Sequence, residues 1–192
     1  MKRIYKPLAW IGLLFLVVSL SSAILPSKET VIYIVRHAEK ETADSTNNNP
    51  DLSAEGKERA AALNEFLKKE KIAAVFSTGY KRTMQTASPV AQRNGIPVKT
   101  YDHRDSRAIA EVVRSEYANQ KVLIAGHSNT ILDLVKAFGP TPPFEKLNDD
   151  DYDLIFTVTI DKNGEASLKT QRFGKNHHSS PIPGPRLSPE KR

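Results

Sequence analysis

The feature that most constrains this chain is an alternation between residues 31 and 138, in which short aliphatic or β-branched runs take turns with amphipathic helical segments. Residues 31–35, 72–76, 97–101 and 121–125 are compact and read as strands. Residues 54–69 carry Ala60, Leu63, Phe66 and Leu67 at helical spacing, with charged side chains between them and Ser53 standing where an N-cap belongs. Further helices are expected over 81–93, closed by Asn94-Gly95, over 106–118, and over 128–138, closed by Gly139-Pro140. Two last strands, 154–160 and 166–173, flank Asp161-Lys162-Asn163-Gly164 and read as a hairpin. Strands alternating with helices require a mainly parallel sheet covered on both faces, because right-handed crossovers lay the helices against it. The expected fold is α/β, a three-layer sandwich with a mainly parallel central sheet, helices on both faces and a C-terminal antiparallel hairpin.

The ends of the chain read differently. Lys2, Arg3 and Lys6 precede an apolar stretch over 8–20, and Ser21-Ser22-Ala23 follow it. A basic start, a short apolar run and small residues make a secretory signal peptide, whereas a spanning helix usually needs about 20 apolar residues. Residues 1–23 are thus expected to direct export to the periplasm or the exterior, with cleavage after Ala23. The alternative is an uncleaved anchor ending near Leu25 that holds the domain outside, the one route to membrane attachment. Residues 24–173 are the domain, and the proline-rich, apolar-poor stretch 174–192 is expected to be disordered. The formal net charge of +6 lies at these two ends, +3 on each, so the body is formally neutral and nucleic-acid binding is not expected. No cysteine is present, which excludes disulfides, thiolate metal sites and every thiol nucleophile.

In a parallel sheet of this kind, ligands sit outside the carboxyl ends of the strands. Three strand ends carry unusual chemistry here: Arg36-His37-Ala38-Glu39-Lys40 after the first, Ser77-Thr78 leading to Lys81-Arg82-Thr83 after the second, and Gly126-His127-Ser128-Asn129 after the fourth. Arginine forks and helix N-termini together trap a phosphate-like anion. A neutral histidine inside such a trap can attack phosphorus in line, and no metal or other cofactor is needed for that scheme.

Taken together, Val35-Arg36-His37-Ala38-Glu39-Lys40, Ser77-Thr78-Gly79-Tyr80-Lys81-Arg82-Thr83-Met84-Gln85-Thr86-Ala87 and Gly126-His127-Ser128-Asn129-Thr130 resemble the histidine phosphatase superfamily, the phosphoglycerate-mutase-like fold. Three separated motifs in register, over about residues 31–173, are far more specific than any one of them. The resemblance implies that His37 is the nucleophile, that Arg36 and Arg82 clamp the phosphoryl oxygens, and that His127 stabilises the transferring group. Ser128 and Asn129 would contact substrate or cap the following helix. A general acid is implied in Tyr101-Asp102-His103-Arg104-Asp105, with Asp102 the choice and Asp105 second because it also fits an N-cap. Some members acting on good leaving groups lack such an acid.

The expected activity is therefore metal-independent hydrolysis of a phosphomonoester, on a phosphorylated small molecule or a phosphoprotein. A phosphate-binding module without turnover, a phosphomutase on the same fold, and a metal hydrolase using His37, His127 and nearby carboxylates are the alternatives. The remaining polar features read more simply. Asp149-Asp150-Asp151 lacks the glycine and distal glutamate of a calcium loop and reads as solvated. Glu39 and Lys40 are expected to order their loop or pair with each other, His103 to neighbour the pocket or face solvent, and His177-His178 to lack partners.

Overall fold

The computed structural model describes residues 29–182. Ten elements follow in chain order: β1 (Thr30–Arg36), α1 (Ala54–Phe66), β2 (Ile72–Ser77), α2 (Lys81–Asn94), β3 (Val98–Thr100), α3 (Ser106–Glu116), β4 (Lys121–Gly126), α4 (Ile131–Ala137), β5 (Leu154–Ile160) and β6 (Ala166–Arg172). The strands form one sheet ordered β3-β2-β4-β1-β5-β6. The pairs β3–β2, β2–β4 and β4–β1 are parallel, whereas β5 is antiparallel to β1 and β6 to β5. This is the expected α/β sandwich with its closing hairpin, turned at Gly164 with φ 83°.

The pleat of the central strands divides the core. Ile32, Ile34, Val122 and Ile124 point to the face packed with Ile109, Val113, Ile131, Leu134 and Phe138 of the α3–α4 side. Tyr33, Val35, Leu123 and Ala125 point to the opposite face, among Leu63, Leu67, Ala87 and Val90 of the α1–α2 side. Both faces being covered explains why these strands read as continuous apolar runs rather than alternating ones.

Caps fall where the sequence places them. Ser53 Oγ accepts from Gly56 N, Asp105 accepts from Ala108 N, and Gly95 closes α2 in the left-handed region at φ 65°. Three helices are shorter than their periodicity suggests, α3 by the two residues after Glu116. After Phe66 the chain tightens into a turn, with Lys68 N donating to Glu65 O. Before Ile131, residues 128–130 form a turn on His127 O, which accepts from both Thr130 N and Ile131 N at 3.0 Å. Thr130, not Ser128 or Asn129, is the N-cap position of α4.

Correction is also due for the C-terminal stretch. Residues 1–23, read as a signal peptide or anchor, lie outside the described residues, as does 183–192. The part of the expected disordered tail that is described, 174–182, is bonded back onto the domain. His177 Nδ1 lies 2.6 Å from Glu39 Oε1, His178 Nδ1 2.6 Å from Asp153 Oδ2, and Ser180 Oγ donates to Asp151 Oδ2 at 2.7 Å. Composition counts the apolar surface a segment can bury, and by that measure this tail has little to hold it. The domain presents it with buried carboxylates that need donors, and the polar tail supplies them. Among the described residues no helix is long and apolar enough to cross a membrane.

Candidate active site

β4 is inserted between β1 and β2, which brings the carboxyl ends of these strands side by side. In the β1–β4 register Arg36 stands opposite Gly126, so the next residues, His37 and His127, leave adjacent strands together. Their ring centroids are 5.4 Å apart, and His37 N donates to Gly126 O at 2.9 Å. A side chain at Gly126 would collide with Ile131 Cγ2 and the Tyr101 hydroxyl, both 2.9 Å from where its Cβ would sit.

His37 is buried, and its Nδ1 lies 2.8 Å from Ala38 O. A carbonyl only accepts, so Nδ1 carries the proton and Nε2 keeps a free lone pair. Ala38 N donates to Thr86 Oγ1, whose hydroxyl donates to Arg82 O, tying the loop after β1 to α2 beneath the second arginine. His127 is held from the other side by a chain of hydroxyls. Thr83 donates to Tyr80 O (2.8 Å), its oxygen receives the Thr78 hydroxyl (2.7 Å), and Thr78 accepts from His127 Nε2 (3.0 Å). Read in that direction, the neutral His127 ring is protonated at Nε2 and open at Nδ1. Burial, then the charges of Arg36 and Arg82, push His37 down to about 3, while its bond to Ala38 O works the other way. Burial and the Arg82 charge push His127 down to about 4. Both rings are neutral at pH 7.

Arg36, the last residue of β1, reaches across to the loop before β5. Its Nη1 donates to Asn148 O (3.0 Å) and Asp149 O (2.9 Å), and its guanidinium lies 3.9 Å from the Tyr152 ring centroid. Arg82, in the first turn of α2, lies 4.5 Å from the Tyr80 ring centroid. Arg36 is held through Nη1 and through its face, Arg82 through its face, and each has a buried Nε without a hydrogen-bond partner. Two guanidinium groups lining one cavity beside two histidines offer charged donors to an anion.

These groups surround one cavity of about 490 Å³, lined by Arg36, His37, Arg82, His127, Ser128 and Asn129 together with Lys40, Tyr80, His103, Asp149 and Tyr152. The expected residues converge there, with one exception. Asp102 does not face the cavity; its two carboxylate oxygens accept from Arg104 Nε and Nη2, and those bonds pull it down to about 2. A carboxyl so strongly held in its charged form has no proton to give at neutral pH. Asp105 is spent on the α3 cap.

Several participants are not visible as motifs. Tyr152 and the carbonyls of Asn148 and Asp149 come from a loop expected to be solvated; Asp151 in it is fully buried and bonded to Ser180. Thr78 and Thr83 lie within a quoted string, but only the fold turns their hydroxyls on His127. Glu39 does not pair with Lys40: its carboxylate is buried and takes three bonds from Arg59, at 2.7 to 2.9 Å.

Residues 32–104 match the family model of the histidine phosphatase superfamily (branch 1). No curated protein matches the chain. Among solved structures, the protein histidine phosphatase SixA complexed with tungstate is similar at a TM-score of 0.61 and 20% identity, covering 74% of this chain and 96% of that one. The native mycobacterial glucosyl-3-phosphoglycerate phosphatase Rv2419c is similar at 0.59 and 14%, covering 75% and 98%. At these identities the likeness is one of fold. The resemblance drawn from the three motifs is borne out, by the family model over residues 32–104 and by fold over the domain.

Proposed function

We propose that this histidine phosphatase-like chain is a metal-independent phosphomonoester hydrolase that forms a phosphohistidine on His37. The observation that carries the proposal is the convergence of Arg36 and Arg82 on one cavity beside a histidine whose Nε2 is free to attack. Two fixed guanidinium groups favour an anion at this place and repel a metal cation.

The chemistry follows from the geometry. The phosphoryl group enters between the arginines, and its non-bridging oxygens are taken by the guanidinium groups that line the cavity. His127, neutral and open at Nδ1, takes up a proton with the incoming phosphate and donates it as a hydrogen bond to a non-bridging oxygen. His37 Nε2 attacks phosphorus in line, and the ester oxygen leaves on the opposite side. Its Nδ1–H, held on Ala38 O, stabilises the ring as it acquires positive charge. Water then attacks the phosphohistidine and releases inorganic phosphate.

The cavity suits a phosphorylated small molecule or a phosphoprotein side chain, and the structural relatives are named for one of each. Export belongs to the same reading, supported by the basic, apolar and small-residue order of residues 1–23. A mature N-terminus near Ile24 is the result expected from envelope-derived protein. Activity is tested by phosphate release from a panel of phosphomonoesters in the presence of EDTA, beside His37→Ala. Turnover that survives the chelator and is lost in the variant supports the proposal. Chelator-sensitive turnover, or turnover by His37→Ala, refutes it.

A further inference from the structure

Attack by His37 on an alkyl phosphate expels an alkoxide, which needs a proton from a side chain that faces it. Of the carboxylates near the site, Asp102 is tied to Arg104, Asp105 caps α3, and Asp149 lies at the Arg36 end of the cavity, its charge facing that guanidinium. Of the remaining groups on the cavity wall, one is an imidazole with no other task. His103, in the turn after β3, lines the cavity and keeps about a third of its side chain exposed.

His127 neighbours both other cavity histidines, its ring centroid 5.4 Å from His37 and 5.6 Å from His103. In-line displacement sets the leaving oxygen on the far side of phosphorus from the attacking nitrogen, with the non-bridging oxygens around the middle. His127 and the arginines take those oxygens, and His103, beside His127 and Tyr80 on the cavity wall, stands where a leaving group can reach it. Tyr80 supports that ring at 6.0 Å between centroids, and Nδ1 of His103 faces Asp102 Oδ1 at 4.0 Å, which leaves Nε2 as the nitrogen for the pocket.

We propose that His103 is the general acid that protonates the leaving group, and the base that activates water in the second step. The proposal rests on the phosphohistidine reading of His37. In the first step the His37 Nε2–P bond forms and the P–O ester bond breaks, while the proton on His103 passes to the leaving oxygen and the alcohol departs. In the second, a water oxygen bonds to phosphorus and the N–P bond breaks. The water proton goes to the neutral His103, and the starting state is restored.

The test compares kcat/KM of the full chain, His103→Gln, Asp102→Asn and Tyr80→Phe across alkyl and aryl phosphates, from glycerol phosphate to 4-nitrophenyl phosphate. Each enzyme is also acid-quenched with labelled 4-nitrophenyl phosphate to trap phosphohistidine. His103→Gln is expected to lose about 10²- to 10⁴-fold on alkyl esters and under about tenfold on the nitrophenyl ester, so that rates depend more steeply on leaving-group acidity. It should still label His37, whereas Asp102→Asn and Tyr80→Phe keep the slope of the parent. Equal losses on both ester types, or a steeper slope in Asp102→Asn or Tyr80→Phe but not in His103→Gln, overturn the role of His103 while leaving His37 labelled. Absence of label in the parent enzyme overturns the phosphohistidine reading itself, and His103 with it.

Discussion

Burying two neutral histidines makes the stability of the domain depend on pH in a way that isolates the active site. Both rings titrate near 6.5 in the unfolded chain, whereas in the fold His37 is pushed down to about 3 and His127 to about 4. Below 6.5 the unfolded state therefore binds protons that the folded state refuses. Stability is fully present above that value and is lost progressively as pH falls toward the folded values. Between pH 7.5 and pH 5 the unfolded chain gains almost one proton at each ring, which removes about 2 kcal/mol per histidine, or about 4 kcal/mol for the pair. The perturbation that tests this is His37→Asn, whose amide can keep the bond to Ala38 O that Nδ1 makes now. Urea unfolding of both proteins at the two pH values, in phosphate-free buffer, gives the comparison, and groups common to both cancel in the difference. The variant should lose about 2 kcal/mol less than the parent on acidification. Equal losses in the two proteins would refute the argument that burial keeps His37 uncharged.

Other consequences can be read from the same packing. Arg59→Ala strips the buried Glu39 carboxylate of its fork and should cost about 3–5 kcal/mol in urea unfolding, far more than an exposed pair would. Gly56→Ala would place a Cβ 2.0 Å from Glu39 O, backbone that cannot give way cheaply, so Tm should fall by an amount matching at least about 1–3 kcal/mol. Thr78→Val removes the acceptor that holds His127 Nε2, and kcat/KM should drop about tenfold with recovery in Thr78→Ser. If valine and serine behave alike, the hydroxyl chain does not orient the ring.

How much of this was legible in the sequence differs element by element. Strand–helix alternation determined the sandwich, because a βαβ crossover has one hand and a doubly covered sheet needs continuous apolar strands. Ser53, Asp105 and Gly95 marked helix ends because capping is local chemistry, decided within three or four residues. Three strand-end motifs likewise marked His37, Arg36, Arg82 and His127 as one group, since strand ends in such a sheet open on one crevice. Asp102 shows the limit. Its position after β3 was readable, but which way its carboxylate turns depends on Arg104, two residues on, against the pull of the cavity.

Long-range burial settled the rest. Nothing in the run Asn148 to Tyr152 announces that its carbonyls and ring will hold Arg36, more than a hundred residues away. Nor does a polar, proline-rich tail announce that His177, His178 and Ser180 will find buried carboxylates waiting. Sequence by itself determined the layers and the caps, consequences of periodicity and local geometry, and the motifs that end three strands at one rim. Only the tertiary structure decided the partners of Arg36, the tautomers of the two buried histidines and the place of His103, because each depends on groups that meet only when distant segments pack.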